Sequence, residues 1–169
     1  MAKYSGVIVP LVTPLDADGA VCADSVARLV ESVGPHVSGL MPTLSSGEGW
    51  KLDTDRWQRM VELTVAAAAG LPVFVGIQQA TTSEVLARAR LLATLRVDGI
   101  VVTTPFGSGV TQAQTLEHYR VIRDESGADL FVYNAKIVYL AAHLHVDDPK
   151  YSFCYNSHMQ YQRLTYLLC

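Results

Sequence analysis

The sequence predicts an α/β protein in which helices cover a parallel β-sheet. Five short runs rich in Val, Ile and Leu are apolar throughout, as is typical of strands that are buried on both faces. The four segments between them carry apolar residues three and four positions apart, which indicates helices. Residues 6 to 134 therefore read as βαβαβαβαβ, with right-handed crossovers. A doubly wound open sheet and part of a (β/α)₈ barrel both fit this order.

Turn-forming residues delimit the predicted strands and helices. The strands are predicted at residues 6–12, 37–41, 71–77, 97–102 and 130–133. Gly34-Pro35 ends the first helix, which starts near Asp24. The second helix is capped by Asp53 or Thr54, and Thr81 begins the third with Glu84 at capping-box spacing. The fourth helix is predicted roughly from residue 111 to residue 125.

Composition narrows the functional classes. The chain has 169 residues, half of them hydrophobic, which suits one globular domain. Its net charge of −3 and its lack of a basic run argue against a nucleic-acid partner. No apolar run is long enough to span a membrane, and the N-terminus has no signal-peptide pattern, so we expect a cytoplasmic protein. Cys22, Cys154 and Cys169 lack metal-binding spacing and are expected to be free thiols.

The segment from Gly39 to Glu48 predicts a buried strand that runs into a tight polar loop. Its last residues are Ser45, Ser46, Gly47 and Glu48. Such a loop offers hydroxyl and backbone N–H groups to a small anion, and a glycine lets the backbone approach closely. An ordinary helix-capping loop has the same composition and is the alternative interpretation.

Polar side chains recur where the predicted strands end. In parallel sheets of barrel type, chemistry is concentrated at the carboxyl ends of the strands, so these side chains predict a rim that holds a small polar ligand. For Thr13 and Thr103 we favour the simpler interpretation that a strand-end hydroxyl bonds its own backbone. The residues concerned are Thr13, Ser45, Ser46, Thr103, Thr104, Tyr133 and Asn134.

Five short motifs occur in a fixed order between residues 6 and 134. They are Val12-Thr13-Pro14 with Asp18-Gly19, Leu44-Ser45-Ser46-Gly47-Glu48, Pro72-Val73-Phe74-Val75-Gly76, Asp98-Gly99 with Pro105-Phe106, and Val132-Tyr133-Asn134. In their order and spacing the chain resembles the dihydrodipicolinate synthase / N-acetylneuraminate lyase family of class I aldolases. One such motif alone is weak evidence, whereas five in register are strong evidence.

The resemblance implies a (β/α)₈ TIM barrel, usually tetrameric, that makes or cleaves a C–C bond of a pyruvate-like 2-keto acid. A lysine on strand six of the family forms a Schiff base with the keto carbon. Ser45, Ser46 and the backbone at Gly47 would hold the carboxylate of the keto acid. Tyr133 would relay protons, with Ser46 as the adjacent hydroxyl. No cofactor and no metal are implied, and we expect a homo-oligomer.

Two departures from the family pattern qualify this expectation. The synthases usually carry Pro-Tyr-Tyr after strand four, whereas this chain has Pro105-Phe106-Gly107, which favours a less typical aldolase or lyase branch. Residues 135–169 do not match the family, and position 161, where its lysine should fall, is Tyr161. We therefore divide the chain into a partial barrel, residues 1–134, and a divergent tail, residues 135–169, as a frameshift or a premature end would produce.

The departures leave a second functional hypothesis open. Lys136 and Lys150 are the only lysines after Lys51, and neither has the expected strand context. The alternative is thus an inactive fragment or pseudoenzyme that binds a small carboxylate or pairs with a full-length relative. An open half-barrel would also expose its edge strands at residues 6–12 and 130–133 and its apolar faces, so we expect poor solubility or association in size-exclusion chromatography unless the tail or another copy covers those edges.

Overall fold

Six parallel strands lie side by side, in the order of the chain, in the computed structural model of the protein. The first two strands form one ladder and the other four a second, and a parallel bridge between Leu40 and Val73 joins the two. The structure describes residues 3–105 and 109–133 and the backbone of residues 152–154. The strands are β1 (Ile8–Pro10), β2 (Gly39–Met41), β3 (Phe74–Ile77), β4 (Gly99–Thr103), β5 (Leu130–Tyr133) and β6 (Ser152–Cys154).

Four helices connect the first five strands, and the last three of them begin at side-chain caps. The side chain of Asp53 accepts a hydrogen bond from the Arg56 N–H, which caps the second helix. Thr81 and Glu84 form the predicted capping box, and Thr111 forms another at the start of the fourth helix. The helices are α1 (Ala23–Val33), α2 (Thr54–Ala67), α3 (Thr82–Leu91) and α4 (Gln112–Ser126).

The two faces of the sheet are covered differently, and this decides between the two architectures. Alternate strand residues such as Val75, Val102 and Val132 join residues from all four helices in one large apolar cluster. The strand residues between them form a second cluster, the inner cluster, which contains no helix residue. A doubly wound sheet would carry helices on both faces, whereas sequential strands with every helix on one side curve into a barrel. The described residues thus form part of a TIM barrel.

The inner cluster fills the barrel below the carboxyl ends of the strands. Its aromatic members Phe74 and Phe131 make an edge contact with ring centroids 4.9 Å apart. Tyr4 closes the amino-terminal end, because its ring packs on Phe74 and its hydroxyl donates to a carboxylate oxygen of Asp129. Since this end is closed by packed side chains, a ligand site belongs at the opposite end. The strand members of the inner cluster are Ile8, Met41, Phe74, Val101, Phe131 and Tyr133.

The tail covers the β5 edge of the expected open half-barrel, the case in which no exposure is predicted there, and the expected exposure of the inner face is wrong. Strand β6 pairs with β5 in parallel register, with Tyr133 opposite Cys154, so β5 is not an edge. Phe74 and Val101 of the inner face are fully buried. A three-residue strand carries too little periodicity to be predicted from its sequence. Apart from β6, the tail lies outside the described residues. The division proposed at residue 134 therefore stays a prediction.

Among the residues that the structure describes, none of the helices combines the length and apolar character needed to cross a membrane. The expectation of a cytoplasmic location goes beyond this finding and stays a prediction.

Candidate active site

The loop that follows β2 has a strained and well-fixed backbone. Thr43 has a φ of 61°, which is rare for a β-branched residue, and Glu48 has a φ of 49°. The Thr43 hydroxyl donates to the carbonyl of Gly76 over 2.9 Å, which ties the loop to β3. Between the two strained residues, Ser45–Gly47 form a single 3₁₀ turn. Strain of this kind is retained where the surroundings fix the chain, and it is frequent at functional sites.

Gly47 serves the close packing of this loop against the end of β1. A Cβ atom on Gly47 would lie 2.7 Å from the carbonyl oxygen of Leu11. The Thr13 hydroxyl donates to the Gly47 carbonyl over 2.7 Å. The expectation that this hydroxyl bonds its own backbone is therefore wrong. The N–H of Gly47 already donates to the carbonyl of Leu44. It is therefore not available to a carboxylate, contrary to the expectation for this residue.

The loop keeps two other backbone donors. In the described part of the chain, the N–H groups of Ser45 and Ser46 make no hydrogen bond to a backbone carbonyl. They stand at the start of the 3₁₀ turn, where the first N–H groups have no partner within the turn. A bound anion at this position would accept hydrogen bonds from both N–H groups.

Ser45 and Tyr133 meet across the barrel mouth. The Ser45 hydroxyl donates to the phenol oxygen of Tyr133 over 3.3 Å, although 88 residues separate them in sequence. Tyr133 is 3% exposed and Ser45 is half-buried, whereas Ser46 is exposed. The family resemblance implies Ser46 as the hydroxyl next to Tyr133, whereas the structure places Ser45 there. Successive side chains of a 3₁₀ turn point about 120° apart, so only one of the two serines faces the tyrosine.

Two further polar groups lie at the same end of the strands without partners. Thr103 ends β4 and is 2% exposed, and Gln78 directly follows β3 and is 6% exposed. Within the described residues, neither the Thr103 hydroxyl nor the Gln78 side-chain carbonyl has a hydrogen-bond partner. For Thr103 the expected bond to its own backbone is thus absent. Gln78 was missed in the sequence, where its only signal is a polar residue immediately after an apolar run.

His118 of α4 supports the end of β4 from the helical side. Its Nδ1 lies 2.8 Å from the Thr82 hydroxyl, and its ring stacks edge-on against Tyr119 at 5.1 Å. Burial lowers the pKa of His118 to about 4, against a weaker opposing effect of a hydrogen bond with the Thr103 backbone. The imidazole is therefore neutral at pH 7 and acts as part of the packing.

The two described lysines lie in surface ion pairs. Lys3 pairs with Asp129 and Lys51 with Glu48, and all four side chains are substantially exposed. Strand β6 has the sequence Ser152-Phe153-Cys154 and holds no lysine. No group of three potential metal ligands occurs in the described ranges. Asn134, Phe106, Lys136 and Lys150 lie outside them.

A family model matches most of the chain. The model of the dihydrodipicolinate synthetase family matches residues 3–139. The chain belongs to this family, and its fold is that of the family's TIM-barrel lyases and aldolases. The match ends close to residue 134, where the sequence pattern is lost.

Individual relatives cover a similar part of the chain. The 4-hydroxy-tetrahydrodipicolinate synthase of Acidiphilium cryptum is 32% identical over 133 residues, which is 78% of this chain and 46% of the relative. The enzyme of the same name from Phenylobacterium zucineum is 35% identical over 133 residues, again 78% of this chain and 45% of the relative. The chain thus spans a little under half the length of the curated relatives it matches.

Solved structures confirm the fold. Dihydrodipicolinate synthase from Aquifex aeolicus superposes with a TM-score of 0.73 at 25% identity, covering 78% of this chain and 45% of that one. A prophage protein of the same family from E. coli K12, in complex with pyruvate, gives a TM-score of 0.74 at 24% identity and covers 79% of this chain and 46% of that one.

Proposed function

We propose that this chain contributes to a carbon–carbon lyase or aldolase that acts on a pyruvate-type 2-keto acid through a Schiff base. The observation that carries the proposal is the hydrogen bond between Ser45 and Tyr133 at the carboxyl ends of β2 and β5. Family membership supports the reaction class, and a protein of the same fold in complex with pyruvate supports the substrate class.

The loop after β2 would hold the carboxylate of the keto acid. The N–H groups of Ser45 and Ser46 lie at the start of the 3₁₀ turn, where they can donate to an anion. The exposed Ser46 hydroxyl is a further donor that a ligand can reach. Gly47 contributes by its small size, since any side chain there would strike the end of β1. This assignment keeps Ser45, Ser46 and Gly47 together as the substrate-binding group.

Tyr133 would move protons during imine formation. A lysine amine attacks the keto carbon, the carbinolamine then loses water, and both steps require a proton to be moved between nitrogen and oxygen. The phenol of Tyr133 accepts a hydrogen bond from Ser45, so the two hydroxyls form a short chain along which a proton can pass. A phenol in such a chain supports transfer without being charged at neutral pH.

Reduction with borohydride in the presence of pyruvate, followed by mass spectrometry, tests the proposal. We expect a covalent adduct on one lysine, which peptide mapping would locate. In Tyr133→Phe, the adduct should form on the order of 100-fold more slowly, the usual contribution of a positioned proton donor. Tyr119→Phe, which alters a buried tyrosine of α4, is the matched control and should not change the rate. Failure to find an adduct on any lysine would refute Schiff-base chemistry in this chain.

A second candidate function is binding without catalysis. It is favoured by the sequence of β6, in which Cys154 lies opposite Tyr133 and no residue is a lysine. Calorimetry separates the two candidates: pyruvate binding that persists without a borohydride adduct supports the binding function. A protein that neither binds pyruvate nor forms an adduct would contradict both.

A further inference from the structure

The backbone of Gly76 in β3 joins the loop after β2 to the helical layer. Its N–H donates to the carbonyl of Pro42, the residue that directly follows β2, over 2.9 Å. Its carbonyl oxygen accepts from two side chains, the Thr43 hydroxyl at 2.9 Å and the Trp57 indole nitrogen of α2 at 3.1 Å. The Thr43 hydroxyl also lies 2.8 Å from the Pro42 carbonyl, so its proton stays within this group of contacts. One peptide group thus fixes the residues that lead into the turn at Ser45–Gly47.

These contacts are shielded from water. Thr43 is 0% exposed and Trp57 is 1% exposed. A buried carbonyl that loses a donor costs more free energy than an exposed one, because water does not replace the missing partner. Thr43 has a φ of 61°, and strain of this kind persists only where the surroundings fix the chain. The bonds to Gly76 therefore keep Thr43 in a conformation that it would otherwise leave.

Arg88 of α3 fixes the other end of the same loop. Its guanidinium lies over the Trp57 ring, with the central carbon 4.7 Å from the ring centroid. It also donates to the carbonyl of Leu52 over 3.2 Å. Leu52 is the last residue before the N-cap of α2. The stacked side chains of Trp57 and Arg88 therefore hold the loop both at Thr43, through the shared carbonyl, and at Leu52.

We propose that Thr43, Trp57 and Arg88 are positioning residues for the carboxylate of the substrate. None of the three would touch the substrate; they fix the turn whose Ser45 and Ser46 N–H groups would bind it. The inference deepens the proposed function and rests on it. Two N–H groups bind an anion well when both already point at it, because ordering a mobile loop on binding costs free energy. Loosening either end of the loop should therefore weaken pyruvate binding, although no donor to pyruvate is removed.

Pyruvate calorimetry on threonine variants tests the role of Thr43. Thr43→Val removes the hydroxyl, keeps the β-branched shape and should weaken pyruvate binding about 5- to 10-fold, the usual effect of one lost hydrogen bond. Thr43→Ser retains the hydroxyl and should bind within about twofold of the native chain. Thr64→Val is the matched control, because Thr64 is 0% exposed and its hydroxyl donates to the Met60 carbonyl over 2.8 Å inside α2. It should change the pyruvate affinity less than about twofold.

Two further variants test the helical side. Trp57→Phe keeps an aromatic ring but removes the indole N–H, so it should reproduce the loss of pyruvate affinity, and it serves if Thr43→Val does not fold. Arg88→Met keeps an unbranched apolar side chain, removes the guanidinium and should weaken pyruvate binding about 2- to 5-fold. Its control is Arg90→Met, which alters an exposed arginine of the same helix that pairs with Glu125 at the surface and should leave the affinity unchanged.

The outcomes separate the inference from the function beneath it. A purely structural role would lower the urea midpoint of the variants without changing the pyruvate affinity of the folded protein. Native affinity in both Thr43→Val and Trp57→Phe, an equal loss in Thr64→Val, or a loss that Thr43→Ser does not restore would overturn the positioning role and leave the proposed function standing. Failure of the native chain to bind pyruvate at all would overturn the proposed function and this inference with it.

Discussion

The buried His118 makes the stability of the fold depend on pH in a calculable way. Its side chain is 4% exposed, and burial lowers its pKa to about 4. An unfolded chain exposes the imidazole, which then takes up a proton near pH 6.5. Between these two values the unfolded state binds more protons than the folded state, so the free energy of unfolding falls as the pH is lowered from 6.5 to about 4.

The size of the effect follows from the two pKa values. The difference between 6.5 and about 4 corresponds to about 3 kcal/mol, present in full above pH 6.5 and lost near pH 4. Urea unfolding followed by circular dichroism at several pH values measures it. Carboxylates also titrate in this range, so the native chain is compared with His118→Gln, which cannot be protonated there.

A substitution of an exposed histidine serves as the matched control for His118→Gln. His36 is exposed at the end of α1, and His36→Gln makes the same change in composition without altering the core. We expect His36→Gln to follow the native pH dependence and His118→Gln to show a shallower one. If His118→Gln lost stability with falling pH as steeply as the native chain, the buried imidazole would not be the cause.

Three substitutions test local features through urea unfolding. Gly76→Ala should destabilise the fold by about 1–3 kcal/mol, because the new Cβ would lie 2.6 Å from the Leu44 nitrogen; an unchanged midpoint would contradict the close approach. Tyr119→Phe should be neutral or stabilise by about 1 kcal/mol, since it removes a buried hydroxyl without a partner in the described chain, and a large loss would reveal one. Asp53→Ala should cost about 1 kcal/mol through loss of the cap on the Arg56 N–H, and Asp53→Asn should restore most of it.

The sequence was sufficient for features that depend on local chemistry. Helix starts at Asp53 and Thr81 were predicted because a capping side chain bonds a backbone N–H only three residues away. The fifth strand was predicted at its observed bounds, 130–133, because its apolar run begins and ends abruptly. The order of elements alone fits both a barrel and an open sheet, and the family resemblance favoured the barrel that the structure shows.

Some features of the candidate site could not be predicted because they depend on the direction in which side chains point. Ser45 and Ser46 are adjacent and chemically identical, and only the 3₁₀ turn determines that Ser45 faces Tyr133. Likewise, nothing in the sequence distinguishes a strand-end threonine that bonds a neighbour, as Thr13 does, from one left unpaired, as Thr103 is. Such differences arise from tertiary packing between segments far apart in the chain.

A crystal structure of the protein with bound pyruvate tests the central claim most directly. We predict that the carboxylate of pyruvate accepts hydrogen bonds from the N–H groups of Ser45 and Ser46 and that its keto oxygen lies within hydrogen-bond distance of Tyr133. Pyruvate bound at another place, or a barrel mouth without pyruvate at concentrations that saturate binding in solution, would contradict the claim.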